Sequence, residues 1–483
     1  AVTFVNQLKK RGYLIHLSSF YKKRKIIKLA EELEIVECQN SEDIVDERIS
    51  VTSAQRWYLN SSFTRKAEWL HTTHFELQSP MDENFFKLAV VNIMKLHASL
   101  RSKFYIDEGE WLQHVLMLPD RSPLLIKLSD SEILDADEYT DLVHQIQNSI
   151  NYNAGSVFRV GIYKSKKTEK CKICICAHHL VSDFVSLSIL IEDIFSEYIN
   201  LKKTGMRKLN KTANIKEVIS WYESAGALKI YKDIEVWANS INWEKVSSIR
   251  PDIKGRNTIS LSKTYQLQFD KKITNIAKAY ADSHSCSFLD VIISAISWSV
   301  RDIINGKSLQ ITIPDEQRAF LAKAAGLDAS RTVGWLAGAR AIVLNLEEHG
   351  CEVLNFDGTI NQLKKIPYGG MMLDPSVLGI NEGCWHNKIS NEIKINYLGF
   401  QNSQIKADEN PDVIPFEHPR LFSISHSENT EIRDSILMFT VIVLNEQLSI
   451  SIGYSKEMFY EETVKIIVDK IEKKIASLGF SAK

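Results

Sequence analysis

The sequence predicts a mixed α/β protein built in two halves, and three observations carry that prediction. An alternating run at 171–176 reads as a strand. It leads into an amphipathic run to Tyr198, with Leu187, Leu190, Ile191, Ile194 and Tyr198 at helical spacing. The same style returns near the end of the chain. There the runs 436–444 and 448–453, joined by Asn445, Glu446 and Gln447, read as a hairpin, and an amphipathic helix follows over about 457–478. Between the two, Lys202, Lys203, Gly205 and Lys208 mark a polar boundary.

A chain of 483 residues is long enough for two or three domains with sizeable cores. Its 44% hydrophobic and 25% charged content is that of a globular protein. The formal net charge of -1 provides no overall field to draw in nucleic acid or an anionic membrane. No apolar run approaches the length that spans a bilayer. Lys9, Lys10 and Arg11 interrupt the start too soon for a secretory signal. The seven cysteines are dispersed. Cys171, Cys174 and Cys176 cluster, but no second pair at zinc-site spacing follows, and Cys174 and Cys176 fit one strand face. No metal site is therefore expected, and reduced thiols fit a cytoplasmic protein.

Taken in order, residues 1–36 read as a small basic-then-acidic helical unit. Phe4, Val5 and Leu8 share a face, Gly12 ends that helix, and a second helix is expected at 26–33. Residues 37–48 are polar and acidic and read as a linker. A helix follows with Phe86, Ala89, Val90, Ile93 and His97 on one face, and Trp111, Leu112 and Val115 suggest a strand. In the second half Ser287 and Asp290 form a capping box before a helix whose apolar side is Phe288, Val291, Ile292, Ala295 and Trp298. Short strands are expected at 309–313 and 341–346.

The residues that carry chemistry lie at 177–183, Ala-His-His-Leu-Val-Ser-Asp, between the strand and the helix of the first half. Adjacent strand residues point to opposite faces, so one of His178 and His179 should face the core and the other a cleft. Asp183 either ties the loop down by hydrogen bonds or pairs with a nearby cation. One positioned imidazole is suited to moving a proton near neutral pH.

This His-His-x-x-x-Asp stretch resembles the signature of the condensation-domain superfamily of nonribosomal peptide synthetases, although the family continues with Gly where this chain has Phe184. Residues 51–59, Val-Thr-Ser-Ala-Gln-Arg-Trp-Tyr-Leu, resemble the opening motif of that superfamily. Residues 97–104, His-Ala-Ser-Leu-Arg-Ser-Lys-Phe, resemble its second motif. Ser-Arg-Thr-Val-Gly-Trp at 330–335 and Asn-Tyr-Leu-Gly at 396–399 look like motifs of the epimerization branch, loosely echoed again at Pro367 to Gly370. Phe-Val-Asn-Gln-Leu-Lys-Lys-Arg-Gly-Tyr at 4–13, with Phe20 and the run 26–30, is similar to the second half of a peptidyl carrier domain.

The resemblance implies two chloramphenicol-acetyltransferase-like α/β lobes in a V-shaped pseudodimer, with a small helical carrier segment at the N-terminus. The expected divisions are 1–36 carrier, 37–48 linker, 49–212 N-terminal lobe and 213–483 C-terminal lobe. It implies a substrate carried as a thioester on the 4'-phosphopantetheine arm of a carrier domain, whose serine would lie just upstream of Ala1. Neighbouring synthetase modules would be the partners, with no metal, nucleic acid or membrane. In the epimerization branch the α proton is removed and returned to the other face, so His179, supported by His178 and Asp183, is one expected proton-handling group. The family's second group is a glutamate four residues before an arginine that here looks like Arg318. Pro314 occupies that place, and Glu316, close to it in sequence, is the candidate carboxylate. Arg101 is the expected ion-pair partner of Asp183; Arg101, Ser186, Arg331, Asn396 and Tyr397 are carried over as substrate or tunnel residues, and Trp335 reads as core. Two alternatives stay open: amide-forming condensation at the same histidine, and a catalytically silent platform that docks a carrier or tailoring partner.

Overall fold

The structure, a computed structural model, describes residues 46–61, 63, 66–77, 80–118, 123–168, 170–205, 213–347, 352–373, 388–401, 413–415 and 432–479. It also describes the paired two-residue strands Tyr13–Leu14 and Glu34–Ile35. The rest of the expected carrier segment, including its helix at 26–33, and most of the 37–48 linker lie outside the described residues.

The chain divides into two compact units. The first is Ala1–Gly226 with Glu316–Ala337 and Ile405–Ile424; the second is Ala227–Asp315, Gly338–Gln404 and Ser425–Lys483. The division thus falls later than the expected 212/213 boundary, and two segments of the second half belong to the first unit. The reason is non-local pairing that periodicity in the sequence does not reveal: strand Val413–Pro415 adds to a sheet of the first unit, and Arg318 forms an ion pair with Asp183.

The first unit opens with strand β1 (Glu47–Ser50) and helix α1 (Ser53–Asn60), the latter started by a reciprocal Thr52–Gln55 capping box. Then come β2 (Leu70–Leu77), α2 (Glu83–Leu96), β3 (Ser102–Asp107), β4 (Glu110–Val115), β5 (Leu124–Ser129), α3 (Ala136–Asn148), β6 (Phe158–Ser165), β7 (Cys171–His178) and α4 (Phe184–Thr204). One sheet runs in the order Val413–Pro415, β2, β7, β6, β5; a smaller one runs β1, β4, β3. β7 is central and buried along nearly its whole length, which is why it reads as Cys-Lys-Ile-Cys-Ile-Cys-Ala-His rather than as a half-polar strand. Its Cys174 and Cys176, two residues apart, share a face that packs with Tyr139, Leu142, Val143 and Ile146 of α3. The opposite face joins α2 and α4 in the larger core of the unit, which also takes in Val333 and Trp335.

The start of α4 accounts for Phe184. Asp183 is the N-cap and accepts from the Ser186 amide, and Phe184 is the first helical residue. Phe184 is not among the residues with positive φ, so this position does not need glycine.

The second unit is built on an eight-stranded sheet. Its main path is β8 (Ser262–Gln268), β14 (Gln447–Ser455), β13 (Leu437–Leu444), β12 (Ile393–Gln401), β9 (Ser308–Glu316), β10 (Ala337–Asn345) and β11 (Met371–Met372), and Val246–Ser247 pairs with β9. Helices α5 (Lys271–Ser283), α6 (Phe288–Ser299) and α7 (Glu461–Leu478) pack together over a core of Val291, Ile292, Ala295, Phe439, Val441, Ile450 and Ile467. The expected hairpin is β13–β14, and Asn445 and Glu446 turn it at φ 48° and 69°. β9 runs past the expected end at 313 as far as Glu316. Pro314 and Glu316, two residues apart, therefore share one face of that strand.

Candidate active site

β7 delivers the histidine pair to the top of the first unit's larger sheet. His178 is fully buried. Its Nδ1 accepts from the Leu180 amide at 3.0 Å and its Nε2 donates to the Lys66 carbonyl at 3.0 Å. Both nitrogens are committed, which fixes one neutral tautomer, and burial pushes its pKa down to about 4. His178 therefore anchors the loop. His179 hangs from the neighbouring strand edge by a 2.8 Å bond from its amide to the Trp69 carbonyl, and it is partly exposed. Its Nδ1 is buried and has no hydrogen-bond partner among the described residues. Nε2 makes no hydrogen bond among the described residues either, and it is not buried as Nδ1 is. Burial lowers the His179 pKa, while the nearby backbone of His179 and Ser182 and the charge of Asp183 act against that fall. The ring is thus neutral at pH 7, with a lone pair available to take a proton.

The loop is held from below by a buried ionic cluster. Arg318 is fully buried. Its Nη1 donates to Asp183 Oδ2 at 3.0 Å and its Nη2 to Asp183 Oδ1 at 3.1 Å, a two-pronged pair. The remaining donors of the guanidinium reach the Thr332 carbonyl, Ser186 Oγ at 2.9 Å and Glu316 Oε1 at 2.9 Å. Asp183 also accepts from the Ser186 amide at 2.7 Å and the Leu336 amide at 3.0 Å. Burial alone would raise the Asp183 pKa; Arg318 and the amide donors outweigh it and hold the carboxyl below the usual range. Glu316 goes the other way: burial raises its pKa, and its single cation, shared with Asp183, does not compensate.

Aromatic rings surround His179. Trp335 lies 4.2 Å from it between ring centroids, His71 4.3 Å, and Trp69 5.8 Å. Trp57, 46% exposed, continues this wall through contacts with Phe63, Trp69 and Trp335. Gln55 links the opening motif to the loop by donating to the Leu180 carbonyl at 2.7 Å. A proton taken up by His179 would leave an imidazolium beside the Trp335 ring and under the influence of the Asp183 carboxylate, which favours that charge.

His179, His178, Asp183, Ser186 and Glu316 thus gather in one cluster around Arg318 and the strand end. Ser186 is buried; it accepts from Arg318 and donates to the Gly334 carbonyl at 2.8 Å. The expected pairing of Arg101 with Asp183 is replaced. Asp183 pairs with Arg318, and Arg101 is buried, donating to the carbonyls of Met94 and Leu116. Arg331 is also buried and is held by Asp193 and by Glu192 at 3.1 Å; His97 reaches the same Asp193 at 2.9 Å. Arg331 and Arg101 brace helices and loops in this unit. Asn396 and Tyr397 lie on β12 of the second unit, partly exposed, beside a bulge at Gly399; burial raises the Tyr397 pKa to about 12. Trp335 is core, as expected, and also touches the imidazole. His71 was not anticipated. Its place follows from strand register, in which His71 of β2 lies opposite Ala177 near the end of β7. Among the described residues no group of three or more His, Cys, Asp or Glu is placed to hold a metal ion, and no helix is long and apolar enough to cross a membrane.

The sequence pattern of the condensation-domain family matches residues 45–478. Surfactin synthase subunit 2 of Bacillus subtilis is 21% identical over 491 residues, an alignment that covers 99% of this chain but only 13% of the synthase. The crystal structure of the epimerization domain from the third module of tyrocidine synthetase B superposes with a TM-score of 0.72 at 20% identity, covering 92% of this chain and 98% of that one. The X-domain in its complex with OxyB from teicoplanin biosynthesis superposes at 0.67 with 13% identity, covering 91% and 94%. The fold is the α/β fold of condensation and epimerization domains.

Proposed function

Because this chain belongs to the condensation-domain family of nonribosomal peptide synthetases, we propose that it acts as an epimerization-type domain on an aminoacyl or peptidyl thioester carried by a phosphopantetheine arm. The observation that carries this reading is a neutral, partly exposed His179 packed against Trp335, the last residue of the Ser-Arg-Thr-Val-Gly-Trp stretch.

The chemistry follows from the groups present. His179 takes the α proton through Nε2; the C–H bond breaks and its electron pair enters the thioester as an enolate. The imidazolium formed is balanced by Asp183 and faces Trp335. Return of a proton to the opposite face of the α carbon requires a second donor. Glu316 is our assignment, because it shares a strand face with Pro314, where the family's glutamate is expected, and because burial raises its pKa above the ordinary carboxylate value. One turnover leaves His179 protonated and Glu316 ionised, and exchange with solvent restores both. Cytoplasmic action alongside neighbouring modules belongs to the same reading.

A second reading has one specific observation behind it: the Glu316 carboxylate is engaged by Arg318. In that reading His179 takes the proton of an attacking amine, and the product is an amide. Carrier loaded with either enantiomer separates the two. Epimerization yields the same mixture of enantiomers from both starting materials after chiral analysis of the released acyl group. Configuration retained throughout, with a new amide appearing on addition of a second loaded carrier, supports condensation instead.

A further inference from the structure

His71 is held in a way that leaves one nitrogen with a defined task. Its Nδ1 lies 2.9 Å from Ser182 Oγ, and the Ser182 hydroxyl has a carbonyl to donate to, that of His178 at 3.1 Å. A hydroxyl has one proton, and a carbonyl can only accept. The chain of bonds therefore runs from His71 Nδ1–H to Ser182 Oγ–H to the His178 carbonyl. This fixes the neutral tautomer with its lone pair on Nε2. Among the described residues that Nε2 makes no hydrogen bond and is not a buried unpartnered atom, and the residue is partly exposed.

The ring lies 4.3 Å from that of His179 between centroids, and Trp335 lies 4.2 Å from the same imidazole. The charged and titratable groups around His71 are His179, His178 and Asp183. Burial, followed by the neighbouring His179, pushes the His71 pKa down to about 3. Next to a group that takes a proton stands one that does not.

We propose that His71 is a substrate-positioning residue whose Nε2 accepts a hydrogen bond from the α-nitrogen N–H of the carrier-borne aminoacyl or peptidyl group. This inference rests on His179 being the group that meets the α carbon, since the α-nitrogen is one bond away from it. His71 thereby selects thioesters that bear an N–H at this position over those in which it is methylated.

Two measurements test this, and the first needs no turnover. In a long-range proton–nitrogen spectrum of 15N-labelled protein, with the His71 signals assigned by their absence from His71→Phe, the ring is neutral and protonated on Nδ1. Adding an unreactive N-acetylaminoacyl pantetheine amide shifts the His71 Nε2 signal, and its N-methyl counterpart does not. A ring protonated on Nε2, or equal shifts from both compounds, overturns the proposal. In α-proton exchange, wild type prefers the N–H over the N-methyl thioester by about tenfold in kcat/KM, the worth of one net hydrogen bond. His71→Phe keeps the ring and lowers that preference to within about twofold. His71→Gln, which retains an acceptor, restores most of it. Undiminished preference in a folded His71→Phe overturns the proposal. Absence of exchange from wild type and His179→Ala alike refutes the epimerization reading instead, and the spectra still decide the role of His71.

Discussion

Replacing Arg318 with methionine removes the cation on which the histidine loop is built. The guanidinium is fully buried and makes two bonds to Asp183, at 3.0 and 3.1 Å, with further bonds to Thr332, Ser186 and Glu316. Methionine leaves the Asp183 carboxylate, itself buried, without a counter-charge. Deleting one partner of a buried pair costs about 3–5 kcal/mol, most of it from the charge left behind. The pH dependence gives an internal check. The Asp183 pKa is depressed in the native protein, so its contribution is fully present above the unfolded value of 3.8 and is lost as pH falls through the native value. The gap between wild type and Arg318→Met is therefore widest near pH 7 and narrows below about pH 4. Urea denaturation followed by circular dichroism measures it. The double variant Arg318→Met/Asp183→Asn, which removes the stranded charge, regains at least about 1 kcal/mol over the single one. A single-variant loss under about 1 kcal/mol, or a double variant no better than the single, refutes this view of the cluster.

Three further outcomes are expected. Glu316→Gln slows epimerization by about 100-fold or more while His179-dependent loss of the α proton persists, as loss of one general acid requires; unchanged epimerization would remove Glu316 from the mechanism. Acid weakens the first unit through His178, whose native pKa of about 4 lies below its unfolded 6.5: the stabilising difference is complete above pH 6.5 and shrinks as pH falls, by about 2 kcal/mol at pH 5. Denaturation midpoints that rise between pH 7 and pH 5 contradict this. Gly370→Ala destabilises the second unit by at least about 2 kcal/mol, because φ is +76° and the added Cβ would sit 2.2 Å from the Ala341 carbonyl oxygen. Gly399→Ala, at φ +75° but with nothing within 4 Å, costs only about 1 kcal/mol, and equal losses at the two sites would show that crowding is not the cause.

Local pattern made much of this molecule legible. The β7 alternation and the α4 spacing marked the histidine loop, and Ser287 with Asp290 forms the expected capping box. The facing of the histidine pair followed from strand geometry, with His178 buried and His179 partly exposed. What escaped was long-range pairing. Arg318 lies 135 residues from Asp183, and no periodicity links them, so the nearer motif arginine, Arg101, took its place. Glu316 lies beyond the strand expected at 309–313, yet β9 continues through Pro314 and Glu316. His71 gave no signal of its own, since a lone histidine in an alternating strand reads as packing; only the register of β2 on β7 brings it to His179. Phe184, which stands where the family has glycine, is an ordinary first residue of α4.

Whether His179 handles the α proton is tested most directly by incubating a carrier-borne aminoacyl thioester with the protein in deuterated water and weighing the released acyl group. Wild type is expected to introduce one deuterium at the α carbon, and His179→Ala, verified as folded, none above the rate without protein. Equal incorporation by the two proteins would contradict the role given to this imidazole.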